Sequence, residues 1–189
     1  MYLFDLRSSI SLYTPINDQE TAHKTAMLNL LSEGKIAFER RRTAGHFTAS
    51  AWILDPSNAR VLLVLHSKIG KWLQPGGHAD GNQNLLEVAK KELAEETGIT
   101  SAELLKTSIF DLDIHSIPAH KGIPEHLHYD LRFIFRGNSQ AAIQINHESK
   151  DFKWLPLEDI PKLVNNDTSI CRMVEKSKQL LKKPPAFSN

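Results

Sequence analysis

The sequence predicts an α/β fold, on three observations. Val61-Leu62-Leu63-Val64-Leu65 is a short β-branched and aliphatic run, the pattern of a buried strand. Pro75-Gly76-Gly77 then breaks regular structure and lets the backbone turn tightly. Residues 85–97 follow with apolar side chains at helical spacing. The unit is strand, loop, Gly-Gly turn, helix.

The helix expected over Leu85–Thr97 has clear ends. Asn84 followed by Glu87 makes a capping box with Asn in place of Ser or Thr, and Gly98 sits just past the last apolar position. At about 100° per residue, Leu85, Leu86, Val88, Ala89 and Leu93 span an apolar arc of roughly 160°. Glu92 and Glu96 fall inside that arc and Glu95 at its edge. An acidic cluster is ordinarily a solvated face, but here two glutamates would point inward, where an unpaired charge costs several kcal/mol. Carboxylates gathered this way build an oxygen-rich site for a hard cation such as Mg²⁺. A carbonyl of the Gly76-Gly77 turn can reach the same cation.

The remaining elements follow in chain order. Residues 18–41 carry Ala22, Ala26, Leu30 and Ala37 near helical spacing, with Asp18 as cap and Gly34 as an interruption. Their apolar face needs a partner surface, either the core or a second copy in a homodimer. Arg40-Arg41-Arg42 is expected to be the solvated end of that helix, and without interleaved aromatics it is no strong nucleic-acid signal. Gly45 marks the expected boundary between an N-terminal helical extension, 1–44, and the main domain, 45–183. His46–Leu54 is expected as a strand, paired through the Asp55-Pro56-Ser57-Asn58 turn with residues 60–66. Further strands are expected at Phe110–Ile114 and Leu127–Arg136. Trp154 to Ile160 leads into a short helix. Thr168–Leu181 is the last helix, with Ile170, Met173, Val174, Leu180 and Leu181 inward. Residues 184–189 form a tail.

Composition narrows the function classes. The chain has 189 residues, 41% hydrophobic, enough for one globular core plus an extension. A net charge of +1 gives no general affinity for polyanions. The one cysteine, Cys171, excludes an internal disulfide. No apolar stretch approaches the ~20 residues that span a bilayer, and the N-terminus lacks the pattern of a signal peptide. No membrane association is expected, and the cytoplasm is the expected compartment.

Residues 77–99 resemble the Nudix box of Nudix hydrolases, G-x5-E-x7-R-E-U-x-E-E-x-G-U, where U is a bulky aliphatic. Gly77, Glu92, Leu93, Glu95, Glu96, Gly98 and Ile99 match in register. Gln83 stands where the pattern has Glu, and Lys91 where it has Arg. The resemblance implies that those two positions brace the catalytic loop, and a Lys cannot form the bidentate pair that an Arg does. It also implies an α/β/α sandwich with a mixed sheet, and hydrolysis of a diphosphate linkage in a nucleoside diphosphate derivative, with Mg²⁺ or Mn²⁺. Glu92, Glu95, Glu96, Glu148 and the Gly76 carbonyl are the implied metal ligands. Glu148, six residues before Trp154, matches a further metal-binding or base Glu seen in some members. Water attack on phosphorus is the implied reaction, with Glu95 and Glu148 as candidate bases. The alternative is an inactive Nudix-fold module that binds a nucleotide.

Histidine is the second unusual feature, with nine residues. His78 follows the Gly-Gly turn. His126, His128, Asp130 and Arg132 alternate along an expected strand and share one face, with Leu127, Tyr129, Leu131 and Phe133 on the other. The polar face is expected to border the cleft of Glu92 and Glu96, with His78, His126, His128 and Arg132 contacting an anionic nucleotide-type substrate. Zinc binding by the His-x-His pair, or simple solvation, are the other readings. Lys68 and Trp72, in the loop before the turn, are further substrate-binding candidates. Trp72 can stack on a base or pack the loop.

Overall fold

The computed structural model describes residues 5–120 and 122–182. The expected tail at 184–189 lies outside them. Eight strands form one mixed sheet: β1 Gly45–Leu54, β2 Arg60–His66, β3 Trp72–Leu73, β4 Gly76–His78, β5 Glu103–Leu104, β6 Asp111–Ile117, β7 His126–Arg136 and β8 Ser149–Pro156. The central pair, β1 and β7, runs parallel, with His46 beside His128 and Leu54 beside Arg136. Every other pairing is antiparallel.

Helices cover both faces. They are α1 Leu6–Leu12, α2 Asp18–Leu31, α3 Leu85–Thr97, α4 Ile160–Leu163 and α5 Thr168–Lys182. Odd positions of β1 and β7, among them Phe47, Ala49, Leu131 and Phe133, pack with Val88, Ala89 and Leu93 of α3 and with Ile10, Met27 and Leu30 from α1 and α2. Even positions Trp52, Leu54 and Ile134 pack with Ile170, Met173 and Val174 of α5. Each fully buried aliphatic or aromatic side chain contributes roughly 1.5–3 kcal/mol.

The local signals decided most element ends. Asn84 accepts from the Glu87 N–H, and Gly98 closes α3 with φ +76°. Helix α2 ends at Leu31 with Ser32 as its C-cap, and Gly34 (φ +73°) opens a 3₁₀ turn, Gly34–Phe38. Asn17, not Asp18, caps α2, because its amide oxygen reaches the Glu20 N–H at 2.8 Å. Leu181, expected inward, is exposed on the last turn of α5. Short α1 went unrecognised in the sequence, though Asp5 accepts from the N–H groups of Arg7 and Ser8 and Leu6 and Ile10 are buried.

Glu20 joins the N-terminal helices to the sheet. It is fully buried and takes Arg172 of α5 at 3.0 Å, the Lys176 ammonium, the Tyr13 hydroxyl and the Ile16 N–H. Lys176 also reaches Asp111 of β6 at 2.6 Å. A buried carboxylate with this many donors is compensated; without them it would cost several kcal/mol.

Candidate active site

Helix α3 carries its acidic side chains under the Gly-Gly turn, now strand β4. The Gly76 N–H donates to Glu96 Oε1 at 2.9 Å. A Cβ on Gly77 would stand 2.5 Å from Glu92 Oε2, so glycine here lets the Glu92 carboxyl lie directly against the strand. Burial raises the Glu92 carboxyl above its usual range, partly offset by Lys91. Burial pushes Glu96 up to about 7, against the Gly76 hydrogen bond and with added repulsion from Glu92, Glu148 and Glu95. Glu148 precedes β8 and is tied to the loop after β2 by its carbonyl, which accepts from the Ser67 N–H at 2.7 Å. Its charge is felt by both buried glutamates. Four carboxylates from two distant parts of the chain therefore share one electrostatic environment.

That environment fits a divalent cation. Glu92 and Glu96 are buried, 9% and 5% exposed, and burial disfavours the ionised form of both, with the other site carboxylates adding repulsion. Oxygen donors of this kind suit Mg²⁺ or Mn²⁺.

The NUDIX domain family model matches residues 45–173. The chain belongs to the Nudix family. It is 32% identical over 107 residues to the asymmetrical bis(5'-nucleosyl)-tetraphosphatase of Mus musculus, covering 56% of this chain and 70% of that protein. It is 30% identical over 120 residues to an RNA pyrophosphohydrolase of Bartonella henselae, covering 56% of this chain and 69% of that one. Among solved structures, a Caenorhabditis elegans Ap4A hydrolase binary complex shares the fold with a TM-score of 0.59 at 22% identity, over 71% of this chain and 96% of that one.

The hydrogen bond open to Gln83 and Lys91, at the two positions that depart from the motif, does not form among the described residues. Gln83 is exposed, and Lys91 reaches Glu95 Oε2 at 2.9 Å and Glu92 Oε1 at 3.4 Å instead. An i, i+4 carboxylate lies within easier reach of an ammonium than a residue before the helix.

The polar stripe of β7 is a second correction. Its residues lie on the even face, where Arg132 reaches Ser169 of α5, whereas the Nudix helix packs on the odd face. The stripe and the Nudix helix are therefore on opposite faces of the sheet. Arg132 is 3% exposed, and four of its five N–H groups are engaged: Nε with Asp130, Nη1 with Asp111 and Ser169, Nη2 with Asp113. Its burial among three carboxylates makes it part of the interior. Asp130 also accepts from Thr48 and Ser50, so this end of the stripe is an interior polar network. The other end is different: His126 and His128 meet His78 and His46.

Lys68 is exposed in the loop after β2. Trp72 is half-buried, packs against the α5-side core and carries the Lys153 ammonium 4.8 Å above its ring. Arg40 was missed in the sequence. It forms a bidentate pair with Asp80 just beyond β4. Its pKa is raised mainly by that pair, with smaller contributions from Glu92 and Glu148, which places it electrostatically at the acidic site. Nothing in the sequence links position 40 to position 80; only the fold does.

Proposed function

We propose that this protein hydrolyses a phosphoanhydride bond in a nucleoside diphosphate derivative, with Mg²⁺ or Mn²⁺ held by Glu92, Glu96, Glu95, Glu148 and the Gly76 carbonyl. The observation that carries this reading is the pair of buried carboxylates, Glu92 and Glu96, set against a Gly-Gly strand. A cation bound there supplies positive charge that offsets the diphosphate and favours loss of a proton from water. Water oxygen attacks phosphorus in line, the P–O bond to the leaving phosphate breaks with its electron pair, and the proton passes to a carboxylate. Glu95 and Glu148 are the candidates to take it. Exposed Lys68 and the pair-held Arg40 supply positive charge for substrate phosphates, and Trp72 offers an aromatic surface. The named relatives, which include an asymmetrical tetraphosphatase and an RNA pyrophosphohydrolase, support a nucleotide substrate.

The test is a panel of Ap4A, ADP-ribose and nucleoside triphosphates, each with Mg²⁺ and Mn²⁺, with products identified. Metal-dependent release of a nucleotide product is expected. A second reading, a non-catalytic nucleotide-binding module, is favoured by Lys91, which pairs with two site carboxylates rather than bracing the loop. Tight nucleotide binding with no turnover of any compound would select it.

A further inference from the structure

Four histidines meet at one end of the sheet. His46 lies at the start of β1, His78 ends β4, and His126 and His128 begin β7. The parallel register sets His46 beside His128, and the antiparallel pairing sets His78 opposite Thr48. One ring nitrogen from each of the four lies within 4.8 Å of the other three. Their ring centroids stand 4.8–5.3 Å apart in the close pairs.

Hydrogen bonds fix the tautomer of two of the four rings. His46 Nδ1 lies 3.4 Å from the Arg42 carbonyl, and His126 Nδ1 lies 2.9 Å from the Pro124 carbonyl. A carbonyl only accepts, so both Nδ1 atoms carry the proton and both Nε2 atoms present a lone pair. His46 is 2% exposed, and the Nε2 atoms of His46 and His128 are buried without a hydrogen-bond partner. Burial lowers the pKa of His46 and His128. An anion needs inward-facing donors, and here two of the rings spend their N–H groups on backbone carbonyls. Converging lone pairs suit a cation.

The geometry points to a second metal site, in which His46, His78, His126 and His128 bind one zinc-class divalent cation through imidazole nitrogens. Imidazole ligands select zinc and its neighbours over Mg²⁺, which requires oxygen. Zn–N bonds of about 2.0–2.1 Å place tetrahedral ligand atoms roughly 3.3 Å apart, so rotation of the rings draws the cluster together. Four protein ligands leave no open position, so the ion is structural. It would tie β1, β4 and β7 at their shared end. Strand β4 is only three residues long and carries the glycines on which Glu92 and Glu96 rest. The carbonyls of Arg42 and Pro124 would orient two of the ligands, as outer-shell acceptors do at zinc sites. The site uses none of the four carboxylates, so it stands whether or not the hydrolytic reading holds.

The test is zinc and cobalt binding by the full chain, purified metal-free. One equivalent of Zn²⁺ should bind and raise the melting temperature. Co²⁺ should give the intense visible bands of a four-coordinate ion. Both should survive in a Glu92→Gln, Glu96→Gln double variant. His126→Ala, a partly exposed position at the start of its strand, should lower zinc affinity by at least about tenfold. His46→Gln should do the same, and the metal-free melting curve of each variant reports whether it folds. Absence of zinc binding, binding lost with the two glutamates, or wild-type affinity in His126→Ala would overturn the proposal.

Discussion

Gly77 and Arg132 show how a single side chain, or its absence, takes its meaning from what lies across from it. A methyl group on Gly77 meets the carboxyl end of Glu92, a flexible group that can swing away. Gly77→Ala should therefore displace Glu92 and lower turnover by about tenfold or more while the melting temperature changes little, since a carboxyl that moves costs geometry rather than packing. Equal losses in both would show that the backbone moved instead. Glu96→Gln keeps the size of the side chain and removes its charge. Metal-dependent turnover should fall by at least about a hundredfold, the scale seen when a preorganised electrostatic group is removed. The metal-free protein should melt at the same temperature or higher, because burial disfavours the ionised carboxylate. Wild-type turnover would remove Glu96 from the site. Arg132→Met should cost about 3–5 kcal/mol of stability, because Asp111, Asp113 and Asp130 lose a buried cation. A change in KM with stability intact would instead restore Arg132 as a substrate contact.

At the scale of elements, α3 and the N-terminal helices contrast. Helix α3 has the ends predicted from Asn84 and Gly98, and its glutamates are buried as their place in the apolar arc requires. Local signals sufficed because caps and helical period act within a few residues. Helices α1 and α2 were less legible, since the apolar positions of α2 are few and its most telling residue is the buried Glu20. That residue has meaning only once Arg172 and Lys176, some 150 positions later, are beside it. Glu20→Ala should destabilise the protein by about 3 kcal/mol or more, by leaving two buried cations undercompensated. A chain starting at Gly45 should melt at a lower temperature, because Ile10, Met27 and Leu30 no longer cover the α3-side core. Urea denaturation of both variants checks this, and midpoints equal to wild type would mean the extension is energetically idle.

Over the whole molecule, the interior ionic network sets the response to acid. Arg172 and Arg132 help hold Asp111 and Asp113 below the usual carboxylate range, against a burial effect of opposite sign. Folded pKa values below the unfolded value of 3.8 mean that these groups stabilise the fold above that pH, where both states are ionised. The contribution is lost as pH falls below about 4, because the unfolded chain takes up protons first. The urea midpoint should therefore drop between pH 6 and pH 3, and the drop should be smaller in Arg132→Met. An equal drop in both would place the acid sensitivity elsewhere.

The sequence by itself determined the α/β class, the strand, turn and helix around the Gly-Gly pair, and the inward-facing glutamates. Those features rest on period, capping and motif spacing, which operate over short stretches of chain. Tertiary structure decided which face of the sheet the His126 to Arg132 stripe would occupy. Alternation shows that the four residues share a side but not which helix covers that side; only the packing of α3 and α5 on opposite faces settles it. It also decided that Arg132 serves the interior, that Arg40 meets Asp80, and that His46 and His78 join His126 and His128. Each of these is a meeting of residues tens of positions apart, set by strand order and register rather than by any local preference.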